Sequence, residues 1–352
     1  MQLEQRINAF VKLGTFLSQF TSNGIQKKDN IPHNDIFFDG FKHQIKIARE
    51  HNGWFTENNI LFALEGWSNS LTNKNINEWL LNYNFNNLNT KKVAIIMAGN
   101  IPLVGFHDFL SVLISGHEVL VKQSSNDKHL LPFLSKYLEL IEPEFKGKIT
   151  FTQEALKHFD VVIATGSNNT ARYFEYYFKD KPSLIRKNRN SVAVLTGAES
   201  ETDLKNLSED IFRYYGLGCR NVSKLFVPEN YNFDTFFKAI YHWNPIINEA
   251  KYANNYDYNK AVYLMSEFEM LENGFLMIKE DPSYASPIAT LFYEYYNSLD
   301  ALKDILKHQH DNIQCIVANN VTENTVDFGE TQKPKLWDYA DGIDTVDFLL
   351  KI

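Results

Sequence analysis

The stretch VAIIMAGN, residues 93–100, decides the fold of this chain of 352 residues. A short apolar run that ends in a glycine turn is typical of a buried strand in a parallel sheet. Three more runs of this kind follow, with a predicted helix between each and the next, at residues 118–122, 159–164 and 191–195. Because strands that alternate with helices form parallel sheets with helices on both faces, the pattern predicts an α/β fold.

The pattern changes on both sides of this region. Residues 1–90 are mostly polar, with apolar side chains at helical spacing, and predict a helical N-terminal region. Beyond residue 214, strand signals at 274–279, 288–293 and 313–318 predict a second α/β domain. We therefore divide the chain into four parts, at 1–90, 91–214, 215–330 and a tail at 331–352.

The composition is that of a globular protein and limits the classes of partner. Lys and Arg number 35 against 43 Asp and Glu, so the formal net charge of −8 argues against nucleic acid as the main partner. The sequence shows no signal peptide and no apolar stretch of about 18 residues, so we expect no membrane span and a cytoplasmic location. The pair His308 and His310 lacks a third ligand, so no metal site is predicted.

Polar and glycine residues follow three of the predicted strands, at the edge where parallel sheets bind ligands. These are Gly99-Asn100, Lys122-Gln123-Ser124-Ser125 and Thr165-Gly166-Ser167. Together they offer an amide, a cation, hydroxyls and the backbone N–H groups of a helix N-terminus, which suit a nucleotide or another phosphorylated ligand. Each segment taken alone is also consistent with an ordinary turn.

The chain has two cysteines, too few and too far apart for a disulfide framework. Cys219 stands in the glycine-rich segment GLGCRN, residues 216–221, beside Arg220. Small neighbours let a substrate approach, and an adjacent cation favours the thiolate, so Cys219 is a candidate nucleophile as well as a candidate buried thiol. Cys315 lies in a strand-like run, which favours a place in the core.

Five segments in this order resemble the aldehyde dehydrogenase superfamily, and most closely its LuxC-like acyl-CoA reductase family: MAGNIPLVGF, EVLVKQSSND, VVIATGSNNTARYF, NSVAVLTG and YYGLGCRNVSKLFVP. The resemblance covers about residues 50–352. It implies an aldehyde dehydrogenase-like fold with two doubly wound α/β domains and a helical N-terminal region that packs on the cofactor domain. The dinucleotide-binding domain would then be 91–214, and 215–330 would be the catalytic domain.

The same resemblance assigns roles to individual residues. Cys219 matches the nucleophile of the family, and Asn100 matches the amide that donates to the developing oxyanion, with the backbone N–H of Cys219 as the second donor. The residues implied to bind the cofactor, NADPH or NADH, are Lys122, Ser124, Ser125, Thr165, Gly166 and Ser167.

The sequence also departs from its relatives at three places. Hydrolytic aldehyde dehydrogenases carry a water-activating glutamate near the position of Arg186, and no carboxylate occurs there. Since hydrolysis of a thioester needs a general base, this favours reduction by hydride. Ser125 stands where NAD-preferring relatives often carry a glutamate, so NADPH is allowed. The segment 282–287 replaces a family glutamate before Phe-Gly-Pro, which affects contacts to the nicotinamide ribose.

The resemblance therefore predicts NAD(P)H-dependent reduction of an acyl-CoA, fatty acyl by analogy with relatives, to an aldehyde through an acyl-cysteine thioester. Two alternatives stay open, oxidation of an aldehyde by a related mechanism and a non-catalytic subunit of a reductase complex. A homo-oligomer, with the tail 331–352 as a candidate contact, and a complex with an acyl-supplying enzyme are further expectations from the superfamily. The sequence alone fixes neither the acyl chain length nor the preferred cofactor.

Overall fold

The computed structural model describes residues 1–86, 89–319, 321 and 324–352. The chain divides into two compact units. The first unit consists of Met1–Lys187 together with Lys335–Ile352, and the second unit consists of Asn188–Pro334. Each is described by itself below.

The first unit begins with a helical region, as the sequence predicts. Its elements are α1 (Leu3–Leu17), the short strands β1 (Phe20–Thr21) and β2 (Gly24–Ile25), α2 (Asn34–His51), α3 (Glu57–Ser70) and α4 (Asn73–Leu80). The hydroxyls of Thr56 and Thr72 accept hydrogen bonds from backbone N–H groups in the first turns of α3 and α4, which fixes where these helices begin. The ring of Phe16 on α1 stacks 4.4 Å from that of Tyr137, so the helices pack on the sheet domain.

A five-stranded parallel sheet forms the centre of the first unit. In chain order its elements are β3 (Lys92–Ile96), α5 (Phe106–Ile114), β4 (Glu118–Lys122), α6 (Leu130–Ile141), β5 (Ile149–Thr152), β6 (Val161–Thr165), α7 (Asn168–Tyr177) and β7 (Ser183–Arg186). The spatial order is β5-β4-β3-β6-β7, and every neighbouring pair is parallel. The chain therefore proceeds from β3 to one side and then returns to the other side at β6. Ligands bind at such a switch point, outside the carboxyl ends of the strands.

The second unit contains a six-stranded sheet. Its elements are β8 (Asn190–Val194), α8 (Glu201–Phe212), β9 (Val222–Pro228), α9 (Phe233–Ile240), α10 (Ala250–Met265), β10 (Leu271–Glu272), β11 (Met277–Glu280), β12 (Thr290–Tyr296), α11 (Leu299–His308) and β13 (Ile313–Val317). The spatial order is β10-β11-β12-β9-β8-β13, and only the edge strand β10 runs antiparallel. The strand signals predicted at 274–279, 288–293 and 313–318 correspond to β11, β12 and β13.

The observed units divide the chain at other positions than the predicted parts. The strand predicted at 191–195, which we placed in the domain 91–214, pairs as β8 with β9 and β13 in the second sheet. The unit boundary therefore lies at 187/188, while the predicted boundary lies at 214/215. An apolar run predicts a buried strand. Which sheet the strand joins is determined by its backbone hydrogen bonds with other strands, which the run itself does not show.

The tail packs within the first unit. It forms α12 (Thr345–Leu350), and Leu336, Val346 and Leu349 are buried. Nε2 of His117 donates to the carbonyl oxygen of Leu349 at 2.9 Å, because its Nδ1 accepts from the backbone N–H of Lys91. These three apolar residues of the tail are therefore covered by other residues of the first unit, whereas Ile343 is exposed.

Within the described part of the chain, no helix combines the length and apolar character needed to cross a bilayer. The same residues hold no cluster of three His, Cys, Asp or Glu side chains that could bind a metal ion.

Candidate active site

The loops after β3 and β4 meet at the carboxyl edge of the first sheet. The backbone N–H of Met97 donates to the carbonyl oxygen of Lys122 at 3.0 Å, and Lys122 is the last residue of β4. A Cβ on Gly99 would lie 2.5 Å from Oγ of Ser124, so only glycine allows this approach. The structure therefore brings the segment that carries Asn100 against the segment of Lys122 and Ser124.

A buried carboxylate that sequence reasoning missed ties the same two loops together. Asp127 accepts a hydrogen bond of 2.8 Å from the backbone N–H of Leu103. Burial raises the pKa of Asp127 to about 6. The sequence shows Asp127 only as one of several polar residues before α6, and its partner 24 positions earlier is set by the tertiary fold.

The third predicted segment begins α7. Thr165 ends β6, and the hydroxyl of Ser167 caps the helix by accepting from the backbone N–H of Thr170 at 3.3 Å. A Cβ on Gly166 would lie 3.0 Å from the side chain of Thr170, so glycine keeps this turn close to the helix. Ser167 and the next two residues are exposed, and the backbone N–H groups at a helix N-terminus favour a phosphate. The arrangement fits the pyrophosphate of a dinucleotide at the switch point.

Imidazole side chains lie beside the exposed turn at Ser125. Nε2 of His51 donates to the carbonyl oxygen of Ser125 at 2.7 Å, and the ring of His51 lies 5.2 Å from that of His129. Burial, together with the charges of His51 and Lys128, lowers the pKa of His129. The turn thus carries an uncharged side chain at Ser125, and the ring of His51 is bonded to its backbone.

Arg186, at the end of β7, is held in a buried ion pair. Only 6% of the residue is exposed, and its guanidinium lies 2.7 and 2.5 Å from the two carboxylate oxygens of Asp108. It also donates to the hydroxyl of Thr345 at 2.8 Å. The side chain at this position is therefore engaged in binding α5 and the tail of the first unit, and it offers no base.

In the second unit, Cys219 lies in the turn that precedes β9, and its side chain is exposed. Its carbonyl oxygen accepts a hydrogen bond of 3.0 Å from the hydroxyl of Ser191. Cys315 is buried in β13, as its sequence surroundings predict. Of the two cysteines, Cys219 is the accessible one.

Asn221 holds the loop that carries Cys219. Its Oδ1 accepts from the backbone N–H of Gly218 at 2.8 Å, and its Nδ2 donates to the carbonyl oxygens of Asp210 and Arg213 at 2.9 and 2.8 Å. Asn221 is only 2% exposed. The amide therefore satisfies carbonyl groups at the end of α8 and fixes the residue before the cysteine. Sequence reasoning missed Asn221, because nothing in GLGCRN shows which backbone groups an asparagine meets.

The loop between α8 and Cys219 has an unusual backbone. Tyr214 and Tyr215 have φ values of 55° and 61°, and Gly216 follows with a φ of 75°. Left-handed residues with side chains are strained by roughly 1–2 kcal/mol each. Both tyrosines are buried, so their packing and the bonds of Asn221 hold this conformation.

A further set of bonds ties the loop to residues 329–331. The buried carboxylate of Asp210 accepts from the backbone N–H groups of Gly329 and Thr331 at 2.7 and 3.0 Å. Nε of Arg220 donates to the carbonyl oxygen of Thr331 at 2.6 Å. Burial raises the pKa of Asp210 to about 6, although these hydrogen bonds oppose the shift.

The segment 282–287, which departs from the family pattern, is anchored on β9. The side chain of Lys224 is fully buried, and its Nζ lies 2.6 Å from Oε2 of Glu294. The same ammonium group donates to the carbonyl oxygens of Asp281 and Pro282 at 3.1 and 2.8 Å. The hydroxyl of Ser223 donates to the carbonyl oxygen of Tyr284 at 2.7 Å. The segment is thus fixed by Ser223 and Lys224, the second and third residues of β9.

The predicted residues therefore fall into two groups. The first unit gathers one set at one sheet edge: Asn100, Lys122, Ser124, Ser125, Thr165, Gly166 and Ser167. The second unit carries Cys219 on its anchored loop.

The chain is similar in sequence to known proteins. Residues 78–240 match the family described as acyl-CoA reductase (LuxC). The long-chain acyl-protein thioester reductase of Aliivibrio fischeri is 22% identical over 205 residues, which cover 53% of this chain and 42% of that protein. The matched segment is thus less than half the length of that relative. The resemblance predicted from the sequence is confirmed.

Solved structures are similar over most of the chain. Aldehyde dehydrogenase 21 of Physcomitrella patens, in complex with the reaction product succinate, has a TM-score of 0.67 at 12% identity and covers 100% of this chain and 84% of its own. The indole-3-acetaldehyde dehydrogenase AldA of P. syringae, in complex with NAD+ and IAA, has a TM-score of 0.64 at 12% identity, over 92% of this chain and 73% of its own. The chain therefore has the aldehyde dehydrogenase fold, as predicted.

Proposed function

From the match of residues 78–240 to the acyl-CoA reductase (LuxC) family, we propose that this chain reduces an acyl thioester to an aldehyde with NAD(P)H as the hydride donor. Cys219 is the nucleophile, and Asn100 and the backbone N–H of Cys219 stabilise the oxyanion. Lys122, Ser124, Ser125, Thr165, Gly166 and Ser167 hold the cofactor.

The observation that carries the proposal is the exposed thiol of Cys219 on a fixed loop. A thiol sealed in the apolar interior could not carry an acyl group, and the side chain of Cys219 is exposed. A free thiol has a pKa of about 8.5, so only a few per cent is ionised at neutral pH without help from its surroundings. The guanidinium of Arg220, the next residue in the chain, is held by the carbonyl oxygen of Thr331, and a cation near a thiol favours the thiolate.

The reaction begins on the cysteine. The thiolate of Cys219 adds to the carbonyl carbon of the thioester, the leaving thiolate departs and takes up a proton, and an acyl group stays on Sγ. The bound nicotinamide cofactor supplies the hydride that reduces this acyl group. The C–S bond then breaks, the aldehyde leaves and the thiolate of Cys219 is regenerated. One thioester, one NAD(P)H and one proton thus give one aldehyde, one thiol and one NAD(P)+.

The environment of Arg186 supports reduction over hydrolysis. Water must lose a proton to attack an acyl-enzyme, and a positioned base is needed for this step. Arg186 stands where hydrolytic relatives carry that base, and its guanidinium is committed to Asp108 and Thr345. This position therefore supplies no base for hydrolysis, which supports reduction of the acyl group by hydride.

The surroundings of Ser125 favour NADPH. The 2′-phosphate of NADPH needs a site without a nearby carboxylate and with positive charge. Ser125 is exposed and uncharged, the ring of His51 donates to its carbonyl oxygen, and Lys128 follows three residues later in the chain. We therefore propose NADPH as the preferred donor and NADH as the weaker one.

The substrate is proposed as a fatty acyl thioester, because the named relative in Aliivibrio fischeri is a long-chain acyl-protein thioester reductase. The acyl group arrives on coenzyme A or on a carrier protein. Both are thioesters, and the chemistry at Cys219 is the same for either.

The test is consumption of NADPH, followed at 340 nm, with acyl-CoA substrates of graded chain length and with the wild-type chain and Cys219→Ala in parallel. We expect aldehyde formation by the wild type, none by Cys219→Ala, and unchanged binding of NADPH to the variant. Aldehyde with NAD(P)+ and no coenzyme A serves as the counter-assay. Turnover by Cys219→Ala, or production of free acid in the counter-assay, contradicts the proposal.

A further inference from the structure

A cavity of about 550 Å³ lies at the amino-terminal edge of the first sheet, opposite the edge proposed for the cofactor. Residues that directly precede three strands line it, and these are Thr90 before β3, Gly116 and His117 before β4, and Lys148 before β5. Its size is within the range of small-molecule sites, about 300–1,000 Å³. The cavity is therefore separate from the groups assigned to catalysis.

Arg6 on α1 lines this cavity, and it is buried with no partner among the residues that the structure describes. The residue is 7% exposed, and its Nε is completely enclosed. Within the described residues, its guanidinium has no hydrogen-bond acceptor and no carboxylate within ion-pair distance. Burial lowers the pKa of Arg6, but an arginine side chain stays protonated in proteins. A buried charge without a counterion is costly, so the site favours a bound anion.

The lining of the cavity has the charge that an anion requires. Lys148 supplies a second cation, and none of the described lining residues is an Asp or a Glu. The remaining polar groups include the side-chain amides of Asn84 and Asn86 and the hydroxyl of Thr90. His117 adds no charge, because both ring nitrogens are committed to backbone groups and burial lowers its pKa.

Gly116 leaves the space that the guanidinium of Arg6 occupies. A Cβ on Gly116 would lie 2.2 Å from a terminal nitrogen of Arg6, and the φ of Gly116 is +88°. The planar fork of an arginine suits an anion with several oxygens, and lysine is a common phosphate binder. Two cations among neutral donors, in a cavity larger than one phosphate group, fit a phosphate monoester.

We propose that this cavity binds a small phosphorylated molecule, with Arg6 as the buried cation and Lys148 as the second. The site is independent of the reductase activity, because its residues lie at the edge of the sheet that the cofactor does not use.

The test measures binding of inorganic phosphate and of glycerol 3-phosphate to the full chain, by calorimetry and by thermal unfolding at an ionic strength matched with chloride. We expect phosphate to raise the Tm by about 2 °C or more above chloride in the wild type. The shift should vanish in Arg6→Met and persist in the control Lys146→Met, which removes an exposed lysine outside the cavity lining. Glycerol 3-phosphate should bind more tightly than inorganic phosphate.

Two results overturn the proposal. One is a wild-type protein that responds equally to phosphate and chloride. The other is an equal phosphate shift in the wild type and in Arg6→Met, which would place the phosphate elsewhere and leave Arg6 a structural residue beside the end of α5. If Arg6→Met does not fold, Lys148→Met decides: a fivefold or larger weakening of phosphate binding supports the site, and unchanged binding rejects it.

Discussion

Replacing Asn221 by alanine should disturb the loop that carries Cys219 more than the removal of one small side chain suggests. The side chain makes three buried hydrogen bonds of 2.9 Å or less, to Gly218, Asp210 and Arg213. At about 1 kcal/mol each, their loss should lower the free energy of unfolding by about 3 kcal/mol. The left-handed backbone of Tyr214 and Tyr215 is strained by a comparable free energy. Without the hydrogen bonds of Asn221 the loop should therefore relax to another conformation. A nucleophile misplaced by 1 Å can cost about 100-fold in rate.

The assay combines urea unfolding with the rate at which iodoacetamide alkylates Cys219, measured from pH 6 to 9. Asn259→Ala is the matched control, because Asn259 is a similarly buried amide in the second unit that makes one hydrogen bond of 2.9 Å, to Ile288. We expect Asn221→Ala to shift the pH profile of alkylation and to lower kcat, while Asn259→Ala loses about 1 kcal/mol and keeps the profile. Equal stability losses and identical profiles in the two variants would refute the role of Asn221. Alkylation needs no acyl substrate, so this result is independent of the proposed reaction.

Three other substitutions test the site and the fold. Ser125→Glu should lower kcat/KM for NADPH about tenfold, or by about 1.4 kcal/mol, and affect NADH much less; equal losses for both cofactors would contradict the assignment. Arg186→Met should lower the free energy of unfolding, measured in urea, by about 3–5 kcal/mol, because it leaves the carboxylate of Asp108 buried without a counterion. A decrease below about 1 kcal/mol would contradict this. Burial raises the pKa of Asp210 to about 6 in the folded protein. Between about pH 4 and pH 6 the folded state therefore holds a proton on Asp210 that the unfolded state has lost. This group thus raises the free energy of unfolding as the pH falls through that interval. Asp210→Asn should remove that part of the pH dependence, about 2–3 kcal/mol, and an unchanged slope would show that another group is responsible.

The sequence predicts three of the five strands of the first sheet, β3, β4 and β6, but not β5 or β7. Residues 118–122 were predicted as a strand and form β4. Their apolar runs are short and bounded by turns, so local pattern is enough to place them. The sequence predicts the strand at 191–195 equally well, but it does not predict which sheet the strand joins. Parallel strands pair with partners that are far away in the sequence.

The side chains that position the candidate site were the least predictable. The missing carboxylate at Arg186 is visible in the sequence, but its partner Asp108 lies 78 positions earlier. The amide of Asn221 is close to Cys219 in sequence, yet its function depends on carbonyl groups at the end of α8. Such bonds are set when elements pack, and a residue pattern alone does not contain them.

The chain leaves the first unit after residue 187 and re-enters it at residue 335. During synthesis, all of the second unit therefore emerges from the ribosome before α12 does. Domains generally fold as units while the chain is being made. The second unit can thus complete its core while the first still lacks a buried helix and the hydroxyl of Thr345 that Arg186 binds. The first unit is therefore started first and completed last. Its incomplete surface has to be kept from aggregating until about 150 further residues have been translated.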